Sequence, residues 1–477
     1  MMMNLNKFYI NGEWIDPVGQ RTVDLINPAT ESPFATVTLG SAADVDRAVK
    51  AARSVFPAFS NTTKAQRIDM LRSIVSAFTV REGDLASAVT LEMGAPRSMK
   101  VHTAAALEGF KQAIVTLSGY EFESRLGNSI VRREPIGVCG LITPWNWPVQ
   151  TIVTKLAAAF AAGCPVVLKP SEFTPVSATI LAEILHEAGV PKGAFNLVNG
   201  DGPTVGNAIS RHPDIDFVTF TGSTRAGILV AEAAAATVKR VAQELGGKSA
   251  NIILPDADLA AAARWNIARG MSNTGQSCHA PSRILVHESQ LEQVVDILRS
   301  EARKVRVGDP QDLETTMGPV VNRAQFDRVQ SYIQRGIDEG ARLVTGGLGR
   351  PSGLERGYFV KPTVFADVSP AMAIAREEIF GPVLVVMSYA SEDDAVEIAN
   401  DTPYGLGGYV FSSNLQKASA IGKRLRAGRI FLNGAPGDPA APMGGYKQSG
   451  NGREMGVFGL EEYLEVKAML GFVEASE

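Results

Sequence analysis

The 477-residue chain is predicted to be an α/β protein built on parallel sheets in two domains. Strand-like apolar runs alternate with segments of helical period for most of its length, the signature of βαβ units. Short strands lead into polar turns and then into capped helices. The Gly246-Gly247 pair separates two such series, and a chain of this length exceeds one compact core.

The first clear helix is expected after Ser41 as N-cap, with Val45, Val49, Ala52 and Phe56 on one face. Pro165 to Leu168 reads as a buried strand, which puts Lys169-Pro170-Ser171-Glu172 in a strand-to-helix turn. Thr174 is the expected N-cap of the next helix, with Pro175 at its first position, Val176, Ile180, Ile184 and Leu185 on one face, and Gly189 as its stop. Phe217 to Phe220 repeats the arrangement, followed by the turn Thr221-Gly222-Ser223-Thr224 and an alanine-rich helix through Ala236. Ligands bind beside such turns in doubly wound sheets, and a glycine at a helix N-terminus lets a phosphate approach the backbone. Gly222 to Gly227 is not a complete dinucleotide fingerprint, however, and an ordinary turn explains it equally well. Ala250 to Leu254 opens the second series.

Composition excludes several classes of function. A net charge of −4, from 46 basic and 50 acidic residues, offers nothing to nucleic acid or an anionic membrane, so small molecules are the expected partners. Apolar runs such as Val166-Val167-Leu168 are far shorter than a bilayer span, and Met1 to Lys7 lacks the apolar core of a signal peptide. Cys139, Cys164 and Cys278 are too few and too scattered for a disulfide framework or a zinc site. The expected compartment is the cytoplasm, and no metal is expected.

Three segments carry reactive side chains among glycine, proline and tryptophan: Pro144-Trp145-Asn146-Trp147-Pro148, Gln243 to Lys248, and Asn273 to Cys278. Cys139 and Cys164 sit among apolar neighbours, whereas Cys278 lies between Ser277 and His279. A thiol that adds to a carbonyl creates an oxyanion, which an asparagine amide held between two indoles is suited to bind. A carboxylate beside two glycines, Glu244, can be approached closely by water and serve as general base. Singly, each is more often a packing cysteine, a turn asparagine or a solvated glutamate; their joint occurrence points to chemistry.

Taken together and in order, these blocks resemble the aldehyde dehydrogenase superfamily, of the hydrolytic NAD(P)-dependent type. The resemblance extends from Phe8 to Trp14 through Lys169-Pro170-Ser171-Glu172, Glu244 to Lys248 and Gly275 to Cys278. It continues through Glu377 to Pro382 and Pro442 to Lys447. It implies that Cys278 attacks the aldehyde, that Asn146 and the Cys278 backbone N–H hold the oxyanion, that Glu244 activates the hydrolytic water, and that Glu454 relays its proton. The cofactor contacts it implies are Ile142, Thr143, Pro144, Trp145, Lys169, Glu172, Gly222, Ser223, Glu378 and Phe380. Trp147, Thr151, Ser277 and His279 are expected at the substrate entrance, His279 lining it rather than acting as base. A carboxylate such as Glu172 at the ribose repels a 2′-phosphate, so NAD is preferred, with Lys169 leaving NADP within reach. At sequence level no arginine pair marks a carboxylated semialdehyde, and no aromatic cage marks a quaternary amine.

The implied fold has two Rossmann-like parallel-sheet domains and a small β element for oligomerisation: residues 1–116 and 135–246 for the cofactor, 247–445 for catalysis, and 117–134 with 446–477 for a homodimer or homotetramer. Three other readings stay open at this level. A CoA-acylating relative would lack the base that Glu244 supplies, a catalytically silent binding protein would not need Cys278, Asn146 and Glu244 together, and a cysteine esterase would leave the cofactor residues unexplained.

Overall fold

The computed structural model describes residues 3–471, which form two large sheets and two small ones. The first large sheet has five parallel strands at its centre, in the spatial order Arg240–Glu244, Phe217–Thr221, Cys139–Ile142, Val166–Lys169 and Phe195–Leu197. Strand order runs outward both ways from Cys139–Ile142. The connections therefore diverge between it and Phe217–Thr221, leaving a crevice at the carboxyl ends of that strand pair. Antiparallel strands close the edges: Phe8–Ile10 and Glu13–Ile15 on one side, Gly450–Asn451 on the other.

The chain changes sheet between Glu244 and Ala250, across Gly246-Gly247. The second sheet runs Thr363–Ala366, Val383–Tyr389, Arg283–His287, Ala250–Ile253, Gly407–Phe411 and Arg429–Leu432, all parallel, with Arg342–Thr345 antiparallel at one edge. Cys139–Ile142, Val166–Lys169 and Ala250–Ile253 are buried at every residue, as strands covered on both faces must be. The segments that leave the carboxyl ends of the first sheet and those that enter the amino ends of the second line one cavity of about 970 Å³.

Helix starts follow the expected chemistry with one exception. Ser41 caps Ala42–Ser60 in a capping box with Asp44. Pro175–Glu187 begins where expected, but Thr174 makes no side-chain cap bond. Its place is taken by Glu92, a carboxyl from Lys64–Met93 that accepts the Val176 and Ser177 backbone N–H groups at 2.9 and 3.3 Å. Burial pushes the Glu92 carboxyl up to about 8. A capping partner 84 residues away in sequence leaves no local signal.

The small sheet near the C-terminus joins Leu464–Leu470 to Ser129–Pro135, which pairs in turn with Glu123–Leu126. Helix Val101–Gly119 extends past the expected boundary at 117, so the hairpin starts at Glu123. Gly450–Asn451, expected in the oligomerisation element, instead extends the first large sheet beside Gln243 and Glu244. The expected boundaries also take in residues 1–2 and 472–477, which lie outside the described residues. Among the described residues, no helix is long and apolar enough to cross a membrane, and no group of three or more His, Cys, Asp or Glu could hold a metal ion.

Candidate active site

Cys278 is held at the end of a strained loop. Asn273 and Thr274 both take the left-handed conformation, at φ 53° and 57°, and Gly275 follows at φ 69°. A Cβ at Gly275 would stand 2.2 Å from the Gly381 carbonyl oxygen, so only glycine fits there. Non-glycine residues adopt this region at a cost and persist when surrounding bonds enforce it. Here the buried Gln276 does so, giving its amide to the Asn273 carbonyl at 3.1 Å and accepting the Val321 N–H at 2.9 Å.

The same loop fixes Asn146. Its Nδ2 donates to the Gln276 carbonyl at 3.0 Å, while Asn273 Nδ2 donates to the Asn146 carbonyl at 2.8 Å. One Asn146 amide hydrogen is thereby engaged, which leaves the other for a ligand oxygen. Trp147 gives its indole N–H to Ser277 Oγ at 3.3 Å and lies 4.3 Å, centroid to centroid, from the His102 ring. His102 contacts Asn273 Oδ1 at 3.2 Å, and burial holds its imidazole down to about 4, so it is neutral. A histidine without any ligand spacing in the sequence thus braces both Trp147 and Asn273.

Glu244 ends its strand inside the cavity wall, buried, with neither carboxylate oxygen bonded to the protein. Burial, then the charge of Glu454, pushes its carboxyl well above the ordinary range, against the pull of Lys155, Arg453 and Arg429. Glu454 is ion-paired to Lys155, whose ammonium also donates to Thr219 Oγ1 at 3.0 Å. Gly246 and Gly247 make room at this point. A Cβ on Gly246 would lie 2.3 Å from the Glu378 carboxylate, and one on Gly247 would lie 2.4 Å from the Cys278 carbonyl oxygen.

Glu378 accepts the Gly247 N–H at 2.9 Å, and burial raises its carboxyl to about 7. Phe380, at φ 61°, meets Trp145 edge to face at 5.4 Å. Ser223 caps helix Thr224–Ala235, and a Cβ on Gly222 would lie 2.4 Å from the Phe220 ring. That helix start borders the cavity at the strand divergence, where its free N–H groups suit an anion. Further along the same edge, Lys169 Nζ donates to the Pro170 and Gly200 carbonyls, each at 2.7 Å, and stands 3.6 Å from Glu172.

On the opposite side of Cys278, His279 Nδ1 lies 3.7 Å from the sulfur and Nε2 is bonded by Arg269. A guanidinium only donates, so Nε2 accepts and the single imidazole proton sits on Nδ1, facing the sulfur. Burial and the charges of Arg269 and Arg429 keep this ring neutral. In this state His279 can donate to the sulfur but cannot take its proton. Burial, with the charges of Glu378 and Glu244, pushes the Cys278 thiol up to about 12.

The profile of the aldehyde dehydrogenase family matches residues 14–469. The chain belongs to the aldehyde dehydrogenase family. Among its relatives is a 3-succinoylsemialdehyde-pyridine dehydrogenase of a Pseudomonas species, 53% identical over 99% of each chain. Its fold is similar to that of aldehyde dehydrogenase C from Pseudomonas syringae, a mutant solved with NAD+ and octanal: TM-score 0.98, 51% identity, covering 99% of this chain and 98% of that one. An aldehyde dehydrogenase of Mycobacterium tuberculosis complexed with NAD+ gives TM-score 0.96 and 40% identity, covering 98% of this chain and 99% of that one.

In this aldehyde dehydrogenase the cavity gathers Cys278, Asn146, Glu244, Glu454, Pro144, Trp145, Trp147, Thr151, Gly222, Ser223, His279, Glu378 and Phe380. Ile142, Thr143, Lys169, Glu172 and Ser277 lie outside its lining. Ser277 is buried behind the wall as acceptor for Trp147, and Thr143 Oγ1 is buried without a protein partner. Lys155 escaped the sequence reading, although a lone lysine in the apolar run Ile152 to Ala157 was the available signal. Arg269 and Arg429, which no sequence signal marked as a pair, both line the cavity.

Removing Lys155 should leave the Glu454 charge without its buried partner. Lys155→Met is expected to lower folding stability by about 3 kcal/mol, read from denaturant melts. A loss confined to turnover, with unchanged melts, would show that the pair does not support the fold.

Proposed function

We propose that this aldehyde dehydrogenase converts an aldehyde to a carboxylic acid through a thioester on Cys278, with NAD as oxidant and water as acyl acceptor. The observation that carries the reading is one cavity in which a thiol, an uncommitted asparagine N–H and an unbonded buried carboxyl face the same space. The Cys278 thiol loses its proton to solvent water in the cavity, attack by the resulting thiolate on the aldehyde carbon puts negative charge on the carbonyl oxygen, and Asn146 Nδ2 with the Cys278 backbone N–H binds it. His279, protonated at Nδ1, supports negative charge on the sulfur. Glu244 takes a proton from the water that opens the thioester and passes it toward the Glu454 carboxylate.

The residues present fit a dinucleotide. The helix start at Ser223 suits a pyrophosphate, Gly222 and Gly246 keep the path free of side chains, and Glu378 with Lys169 and Glu172 offers polar groups to the two riboses. NAD, when bound, would supply a two-electron hydride acceptor for the oxidation. NAD+ in the two solved relatives supports the same cofactor here.

Glu172 leads to an NAD preference, since its carboxylate faces any 2′-phosphate. Wild type is expected to favour NAD over NADP in kcat/KM, and Glu172→Ala to narrow that ratio about tenfold. A wild type that favours NADP would overturn the assignment.

The open outer edge of Leu464–Leu470, with Val466 and Leu470 exposed, supports a homodimer or homotetramer formed through this sheet. Three free cysteines support a reducing, cytoplasmic setting. Octanal and a pyridyl semialdehyde, named for two relatives, differ enough in shape that family membership leaves the substrate open.

A further inference from the structure

Besides Cys278, Gly222 and Ser223, the cavity holds two guanidinium groups and several aromatic rings. Arg269 comes from helix Leu259–Met271 and Arg429 from strand Arg429–Leu432. Trp265 lies 5.2 Å from the Tyr409 ring, which stacks on Phe431 at 5.0 Å and an interplanar angle of 16°. Arg429 sits over the Phe431 ring at 5.5 Å. Arg269, Arg429, Trp265, Tyr409 and Phe431 all line the cavity with Cys278.

What these arginines bind is informative. Arg269 donates to the neutral His279 imidazole, and Arg429 donates to the Asp438 backbone carbonyl at 3.1 Å. Among the described residues neither has a carboxylate oxygen within salt-bridge distance. The Asp438 carboxylate accepts the Ala440 N–H at 2.8 Å, and Glu244 lines the same cavity. Asp438 and Glu244 act on Arg429 only at longer range, so neither guanidinium has a direct ion-pair partner, and a planar fork is the side chain best matched to a carboxylate.

We propose that Arg269 and Arg429 form an anion subsite, and that the aldehydes this enzyme handles best carry a carboxylate at the end distal to the carbonyl. Position sets the reach. Arg269 is separated from the Cys278 sulfur by the width of one imidazole, with His279 touching both. An aldehyde carbon bonded to that sulfur therefore places its far end at the guanidinium when the chain is short and unbranched. The aromatic wall covers the methylenes between the two ends. The inference rests on Cys278 being the nucleophile, and adds to it the class of substrate.

The test compares succinic semialdehyde with butanal, and adipic semialdehyde with hexanal, by kcat/KM in wild type, Arg269→Gln, Arg429→Gln and Cys278→Ala. At least one semialdehyde is expected to exceed its alkanal by about tenfold in wild type. Either arginine variant should cut that ratio by about tenfold or more, chiefly through KM of the acid. Arg269→Lys, which keeps charge but not the fork, should retain part of it. A wild type that uses the alkanals better, or arginine variants that slow both members of a pair equally, overturns the subsite while leaving the nucleophile intact. Turnover that survives in Cys278→Ala overturns the nucleophile instead. The wild-type ratio decides the matter even where a variant fails to fold.

Discussion

Cys278→Ala should abolish NAD reduction by aldehyde, with a loss of at least about four orders of magnitude in kcat. Nothing else at the site can replace the sulfur. His279 lies 3.7 Å from it, and its Nε2 lone pair is taken by Arg269. Glu244 sits in the same wall, but a carboxylate is a far weaker nucleophile toward an aldehyde than a thiolate, and hydride loss from its adduct would have to form a high-energy anhydride. Stopped-flow absorbance with aldehyde and NAD should therefore show neither burst nor steady state, while NAD still binds, as read by quenching of tryptophan fluorescence from Trp145. A burst of normal amplitude in this variant would place the nucleophile elsewhere.

Glu244→Gln should separate the two halves of the reaction. Hydride loss needs the sulfur and Asn146, so a burst near one equivalent of NADH is expected. Hydrolysis needs the base, so the steady state should fall by about 10²- to 10³-fold. The pH dependence has a definite sign. Burial and Glu454 raise the Glu244 carboxyl, and it serves as base only when ionised, so the wild-type steady-state rate should climb with pH through that raised pKa. In Glu244→Gln that limb should vanish and leave a flatter profile. Loss of the burst itself, or an unchanged limb, would remove Glu244 from the deacylation step.

Much of this was legible in the sequence because the signals were local. Ser41 as a cap, the Gly246-Gly247 pair and the glycine of the segment before the cysteine are each signals within a few residues, and the structure supplies the cause: a capping box completed by Asp44, room for Glu378 and Cys278, and contact with Gly381. What escaped was made by distant pieces of chain. Glu92 replaces Thr174 as a cap, Lys155 pairs with a glutamate 299 residues away, and Arg269 and Arg429 reach one cavity from a helix and a strand. Each lone charge reads as a solvated residue until tertiary packing removes its water.

The cavity is lined by segments at the carboxyl ends of one sheet and at the amino ends of the other, so in the proposed reaction the nucleotide's phosphates and the aldehyde's far end would rest on different frameworks. On the reading proposed above, turns of the first sheet would meet the nucleotide's phosphates, and Arg269, Arg429 and Tyr409 of the second would meet the aldehyde's tail. Evolution can then exchange the diet of such an enzyme without retuning its redox half. A chimera that swaps only helix Leu259–Met271 and strand Arg429–Leu432 should inherit the donor's taste in aldehydes and the recipient's nucleotide.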